Sequence, residues 1–274
     1  MAGTLNNLGN IYDNRGDKAQ AIDRLTQSLK IAEAVKDSAL MARALGNIGV
    51  IYFEVDDYGH AMEYYQRRLA LAVKVKDDQI VAEVLNNIAI IDGIRGDTAA
   101  AIDQYERSIA ISERIDYGQQ LAGSLSNLGS IYFARGDQIR AMGYFQRGLE
   151  LAQGVDDKAS LSQCLQSIGT LYRAQGHMAE ALDYGKRALE MGREAETVSL
   201  IRDAAYLLYQ VYKATGKPAE ALGMHELSTA MKDSTLSEKN QGEVMRQKFQ
   251  YDYDKKEALV TAEQEKKDAV AKEV

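Results

Sequence analysis

Leu45, Ile48, Ile51 and Tyr52 fall at i, i+3, i+6 and i+7, one apolar stripe of a 3.6-residue helical period. After a short polar break, Ala61, Tyr65, Leu69 and Ala72 make a second stripe of the same kind. The paired pattern returns along the chain. It reads LNNLGNIYDNRGDKAQAIDRL from Leu5, LGNIGVIYFEVDDYGHAMEYY from Leu45 and LNNIAIIDGIRGDTAAAIDQY from Leu85. It continues as LSNLGSIYFARGDQIRAMGYF from Leu125 and LQSIGTLYRAQGHMAEALDYG from Leu165. A weaker sixth copy starts at Ala205, and successive starts lie 40 residues apart without gaps. A fixed period of this size is the mark of a repeat array. The pattern therefore predicts six helix pairs that stack and share one continuous core, because no pair can bury its apolar face alone.

Small residues recur where the helices of a pair must approach. They are Gly9, Gly49, Ala89, Gly129 and Gly169 in the first helix, and Ala21, Ala61, Ala101, Ala141, Ala181 and Ala221 in the second. A larger side chain there would push the pair apart. Between the two stripes the tripeptide Arg-Gly-Asp occurs at Arg15-Gly16-Asp17, Arg95-Gly96-Asp97 and Arg135-Gly136-Asp137. It resembles an adhesion signal, but its register gives a simpler reason. Gly16, Gly96, Gly136, Gly176 and Gly216 suit the left-handed residue that closes a helix. Asp17, Asp57, Asp97 and Asp137 suit the N-cap of the next helix. Pro218, the chain's one proline, falls where the first turn of a helix tolerates it.

Composition narrows the function classes. The net charge is −7, so no basic footprint for nucleic acid is present. Cys164 is the lone cysteine, and His60, His177 and His225 are the only histidines, which argues against an intramolecular disulfide and a cysteine or zinc cluster. Phosphate-cradling glycine loops and a recognisable nucleophile–base spacing are absent from the sequence, so the expectation is no enzyme and no cofactor. Cys164 itself reads as core.

The column of Leu, apolar-Gly, Tyr and Ala, seen in Leu45, Ile48-Gly49, Tyr52, Ala61 and Tyr65, resembles the tetratricopeptide repeat. Repeats one and four match as well. Departures are Leu in place of the family's frequent Trp, Asp92 for Tyr, Tyr209 for Gly, no proline between repeats, and a period of 40 instead of 34, which fits longer helices. The resemblance implies an all-α, right-handed superhelical solenoid of stacked antiparallel helix pairs over residues 1–235, followed by a C-terminal capping and linker helix over 236–274. In that register the first helix would begin upstream of Met1, near the equivalent of Asp37-Ser38, pointing to a piece of a longer protein or a lost cap.

The resemblance also implies a protein or peptide ligand on the concave face lined by first helices. Asn7, Asn47, Asn87 and Asn127 form one column there, and an Asn amide can both donate to and accept from an extended peptide backbone. The competing reading is that each Asn bonds a neighbouring helix and fixes the repeat angle. The next row holds Asp13, Phe53, Gly93, Phe133, Arg173 and Lys213. Phe53 and Phe133 are candidate contact aromatics, or else they pack beneath the adjoining repeat. The change from acidic to basic along the row would orient a ligand. The paired Lys and Asn with which some relatives clamp a terminal carboxylate are not seen here.

After about Ser228 the period ends. Val244, Met245, Phe249 and Tyr253 leave a short apolar stripe, and beyond Asp254 the residues are charged or small, with pairs such as Glu263–Lys267 at helical spacing. MKDSTLSEKNQGEVMRQKFQYDYDKKEA resembles the segment that joins such repeats to a membrane helix and then to a nucleotide cyclase or histidine kinase in bacterial signalling proteins. That implies a sensory or regulatory region, its parent anchored through a segment after Val274 and its repeats on either the extracytoplasmic or the cytoplasmic side. The alternative is a self-association scaffold that forms a homodimer.

Overall fold

A computed structural model describes residues 1–232. Among these residues every regular element is a helix. They are α1 (Ala2–Asn14), α2 (Lys18–Val35), α3 (Ser38–Glu54), α4 (Tyr58–Val75), α5 (Asp78–Ile94), α6 (Thr98–Arg114), α7 (Gly118–Ala134), α8 (Gln138–Gly154), α9 (Lys158–Ala174), α10 (Met178–Glu194) and α11 (Val198–Ala214). A further helical stretch covers residues 218–232 and opens on Pro218. The expectations for 236–274, including the stripe of Val244, Met245, Phe249 and Tyr253 and the Glu263–Lys267 pair, lie outside the described residues.

The turns inside each pair are built as their residues dictate. Gly16, Gly96, Gly136, Gly176 and Gly216 all have φ between 70 and 85°. The carboxylates of Asp17, Asp57, Asp97 and Asp137 accept the backbone N–H three residues on, at 3.0–3.2 Å. Arg-Gly-Asp is thus a helix stop followed by a helix start. Repeat two makes the same turn with Asp56 at φ 58°. The turns between pairs differ from any glycine rule, with Lys36, Lys76, Asp116, Asp156 and Glu196 at φ 51–59°. Asp37, Asp77 and Asp157 cap the helices that follow.

The described residues form two compact units, 1–61 and 62–232, divided within α4. In the first, α1 packs on α2 and α2 on α3. Leu25, Leu45, Ile48 and Ile51 are buried there. In the second, α5 to α11 pack in order, each against the next, and first helices also touch one another along α5, α7, α9 and α11. Phe145, Leu125, Leu128, Ile168 and Leu171 make its centre.

Close approach explains the small residues. A Cβ at Gly9 would lie 2.6 Å from Leu25 Cγ, one at Gly129 would lie 2.7 Å from Phe145 Cε1, and one at Gly169 would lie 2.8 Å from Leu207 Cδ2. A second fastening was not expected. Ser28 Oγ donates to Ala2 O and Ser108 Oγ to Ala82 O, both at 2.8 Å, joining second helix to first. In repeat five the partners exchange places, with Ser162 Oγ donating to Ala188 O at 2.8 Å.

Candidate functional site

The first helices present one face to solvent, carrying the columns in which the candidate residues lie. In residues 1–61 this face belongs to α1 and α3. Asn47 Nδ2 donates to Asn10 Oδ1 at 2.8 Å and to Asn6 Oδ1 at 3.5 Å, while Asn7 is exposed. Phe53 is half-buried and meets the Tyr58 ring edge-on at 5.6 Å. Asp13 is engaged by Lys18, which donates to it at 2.6 Å and also bonds Glu54. Burial works against the Lys18 charge, yet these two carboxylates hold its pKa above the ordinary lysine value.

In residues 62–232 the face belongs to α5, α7, α9 and α11. Asn127 Nδ2 donates to Asn86 Oδ1 at 3.4 Å, and Gln163 Nε2 donates to Asn127 Oδ1 at 2.9 Å. Ser124 Oγ also donates to Asn86 Oδ1, at 3.2 Å, and lies 3.1 Å from Ser108 Oγ. The result is a chain of amides and hydroxyls from α9 through α7 to α5 and α6. Burial pushes up the pKa of the Tyr105 hydroxyl, a rise that the Asn127 amide opposes. Beside this chain Arg68 pairs with Glu83 at 3.1 Å, and the Tyr117 hydroxyl donates to Glu83 at 3.1 Å.

The structure thus engages Asn47 and Asn127 with neighbouring first helices, while Asn87 is half-buried without a bond among the described residues. Of their partners, Asn10 belongs to the next row of the same face, with Ile90, whereas Asn6, Asn86 and Gln163 were missed in the sequence. Asn6 and Asn86 sit one residue before the expected column, Asn10 three after it, and Gln163 four before the column's continuation at Ser167. Phe133 is half-buried and packs on the central cluster with Ile90, which is also half-buried, while Ile94 is 50% exposed. Arg173 is half-buried, and its Nε–H is shielded from solvent with no hydrogen-bond partner. Lys213 is exposed, with its ammonium 5.8 Å from the centre of the Tyr209 ring.

Cys164 lies in the core, and burial pushes its thiol up to about 11. Among the described residues no group of three or more His, Cys, Asp or Glu is arranged to hold a metal ion. No described helix is long and apolar enough to cross a membrane.

Repeated helix pairs with a polar first-helix face define a helical-repeat interaction scaffold. Within that class the chain belongs to the tetratricopeptide repeat family, whose model matches residues 1–74, 40–114 and 120–194. No curated protein sequence matches the chain. Solved structures similar to it include the apo form of RapI, at TM-score 0.70 and 14% identity over 86% of this chain and 84% of that one. A Rap protein in complex with competence and sporulation factor follows, at 0.64 and 14% over 92% and 74%. BtubC from P. vanneervenii gives 0.63 and 20% over 78% and 90%. At these identities the likeness is one of fold, an all-α solenoid of repeated helix pairs.

Proposed function

We propose that this chain is a peptide- or protein-binding module that takes up its ligand on the first-helix face, as the sensory or regulatory region of a bacterial signal-transduction protein. The observation that supports it most is the face of α5, α7, α9 and α11. There, amide side chains adjoin partly exposed apolar residues and two cations that form no ion pair among the described residues. A surface serving packing alone would leave fewer such groups in reach of solvent. The Rap structure with its factor supplies a precedent in fold for a repeat array that engages a signalling partner. The tail sequence supports the signalling context, with an output domain and membrane anchor beyond Val274.

A randomised peptide array probed with the full chain tests the reading. The best binder is then titrated calorimetrically against wild type and the double variant Asn87→Ala, Asn127→Ala. A loss of tenfold or more is expected. Unchanged affinity removes the ligand from this face.

One observation favours self-association as a second reading. In the first-helix core columns, Leu45, Ile48 and Ile51 are buried, whereas their counterparts Leu5 and Leu8 are only half-buried and Ile11 is 47% exposed. A second copy would cover this apolar strip. Sedimentation equilibrium of wild type and Leu8→Glu decides it, since a wild type that stays monomeric at every concentration excludes the dimer.

A further inference from the structure

We infer that the face of α5, α7, α9 and α11 selects an extended peptide segment in which an apolar side chain is followed, on one side, by acidic side chains about three and six positions away. This rests on the reading above that the face takes up a peptide, and it adds the chemistry of that peptide.

The argument starts from column order. Successive first helices bring Ile90 and Ile94, then Phe133, then Arg173, then Lys213 onto the face. The apolar residues come from α5 and α7 and the cations from α9 and α11. These four helices touch in sequence. Helix axes in such contact lie about 8–10 Å apart, and an extended chain advances at most about 3.3–3.6 Å per residue. A peptide crossing the helices therefore meets a new one about every three residues. An apolar side chain seated at Phe133 places the residue three positions on over Arg173, and the residue six positions on over Lys213.

Charge decides what those residues must be. Some cations in residues 62–232 are paired locally, among them Arg114 with Asp78, Arg147 with Glu113, Arg187 with Asp183 and Arg202 with Asp203. Arg173 and Lys213 make no such pair among the described residues, although the chain as a whole carries a net charge of −7. The shielded Nε–H of Arg173 lacks even a neutral acceptor. A half-buried guanidinium with an unused donor gains most from a carboxylate, which meets its planar fork with charge-assisted bonds. Lys213 offers a second, more solvated charge, worth more to selection than to affinity. Acidic side chains on the ligand complement both, while basic ones would face two uncompensated like charges.

The test uses the full chain and three fluorescein-labelled decapeptides of Gly and Ser. The first carries Phe at position 3 with Asp at 6 and 9, the second has Lys in place of both Asp, and the third has Ser in place of Phe. Anisotropy titrations are run at 50 and 300 mM salt. The acidic Phe peptide is expected to bind at least tenfold more tightly than either control, more weakly at high salt. Arg173→Gln and Lys213→Gln should each reduce its affinity about three- to tenfold. Because Lys213 is exposed, Lys213→Glu will fold, and it should restore binding to a peptide bearing Lys at position 9. Equal binding of the acidic and basic peptides, no binding of the acidic one, or no effect of the variants overturns the inference. If neutral or basic array peptides still depend on Asn87 and Asn127, the binding face stands and only its acidic preference falls. If no peptide depends on those residues, the binding face falls as well.

Discussion

Substituting Gly129 by Ala tests whether close approach governs the repeat. The new Cβ would sit 2.7 and 2.8 Å from Phe145 Cε1 and Cδ1, and 3.2 Å from Tyr144 Cβ. Phe145 is 1% exposed, so its ring has no space to retreat, while half-buried Tyr144 is stacked on Tyr132 at 5.4 Å. Overpacking of this kind costs about 1–3 kcal/mol. Ala in place of Gly inside a helix returns about 0.8–1.0 kcal/mol. The net effect is a loss of about 0–2 kcal/mol. Gly143→Ala in α8 is the control, because its Cβ meets nothing within 4 Å. That variant keeps the helix gain and should be more stable than wild type. The gap between the two variants is then about 1–3 kcal/mol, read from urea midpoints with m-values required to agree. Adding Phe145→Leu to Gly129→Ala should recover part of the loss, with a coupling of at least about 0.5 kcal/mol. If Gly129→Ala stabilises as much as Gly143→Ala, steric contact between α7 and α8 does not set the small-residue columns.

Gly96→Ala should destabilise by about 1–2 kcal/mol through its backbone alone, since φ is 85° and no atom stands near the added Cβ. Lys76→Gly, at φ 59°, should instead stabilise by about 0.5–1 kcal/mol, and urea melts that show the same sign for both would contradict this. Asp137 is held below the ordinary carboxylate range by the Arg140 backbone N–H and then by the Arg140 side chain. Its contribution is therefore present above the unfolded value near pH 4 and is lost as pH falls through the lowered native value. The Tm difference between wild type and Asp137→Asn should be constant from pH 7 to 5 and shrink below pH 4; a difference that grows in acid refutes the assignment. Cys164, with its thiol raised to about 11 and buried, should react with a disulfide reagent at pH 8 only after unfolding, and prompt native labelling would show an open core.

How much of the fold was legible in the sequence follows from local physics. Gly16 and Asp17 announce their turn because only a residue free of Cβ enters the left-handed region cheaply, and an Asp carboxylate reaches the N–H three residues on. Gly129 announces its contact because a helix has little other use for glycine. The turns at Lys36, Lys76 and Glu196 gave no such signal. The helices on both sides impose the geometry there, and an ordinary residue bears the strain. The serine fastening was hidden for another reason. Ser28 and Ser108 share a column, but Ser162 performs the same bond from the opposite helix, so no single column records it. Phe53 and Phe133 left two readings open because their position borders both the core and the face. The structure finds each half-buried, consistent with either role.

Asn47 and Asn127 bond neighbouring first helices, as the packing reading of the amide column expects, and the binding reading turns on what those bonds leave over. An Asn side chain has two N–H donors and an oxygen with two lone pairs. Asn127 commits one N–H to Asn86 and one lone pair to Gln163. One acceptor site is left for a peptide N–H, unless these bonds are exchanged. Asn47 spends its N–H groups on Asn10 and Asn6 and keeps its oxygen free of bonds among the described residues. Asn47 and Asn127, each within its own unit, therefore tie neighbouring first helices with their donors and keep acceptor capacity. Such a surface would bind backbone N–H groups with little discrimination among side chains. Selectivity must then come from the adjoining row, where Phe133, Arg173 and Lys213 differ from helix to helix. On the proposed binding reading, truncating Asn127 would loosen the scaffold as well as the peptide, whereas truncating Lys213 would touch the peptide alone. That contrast is what separates a binding face from a packing seam.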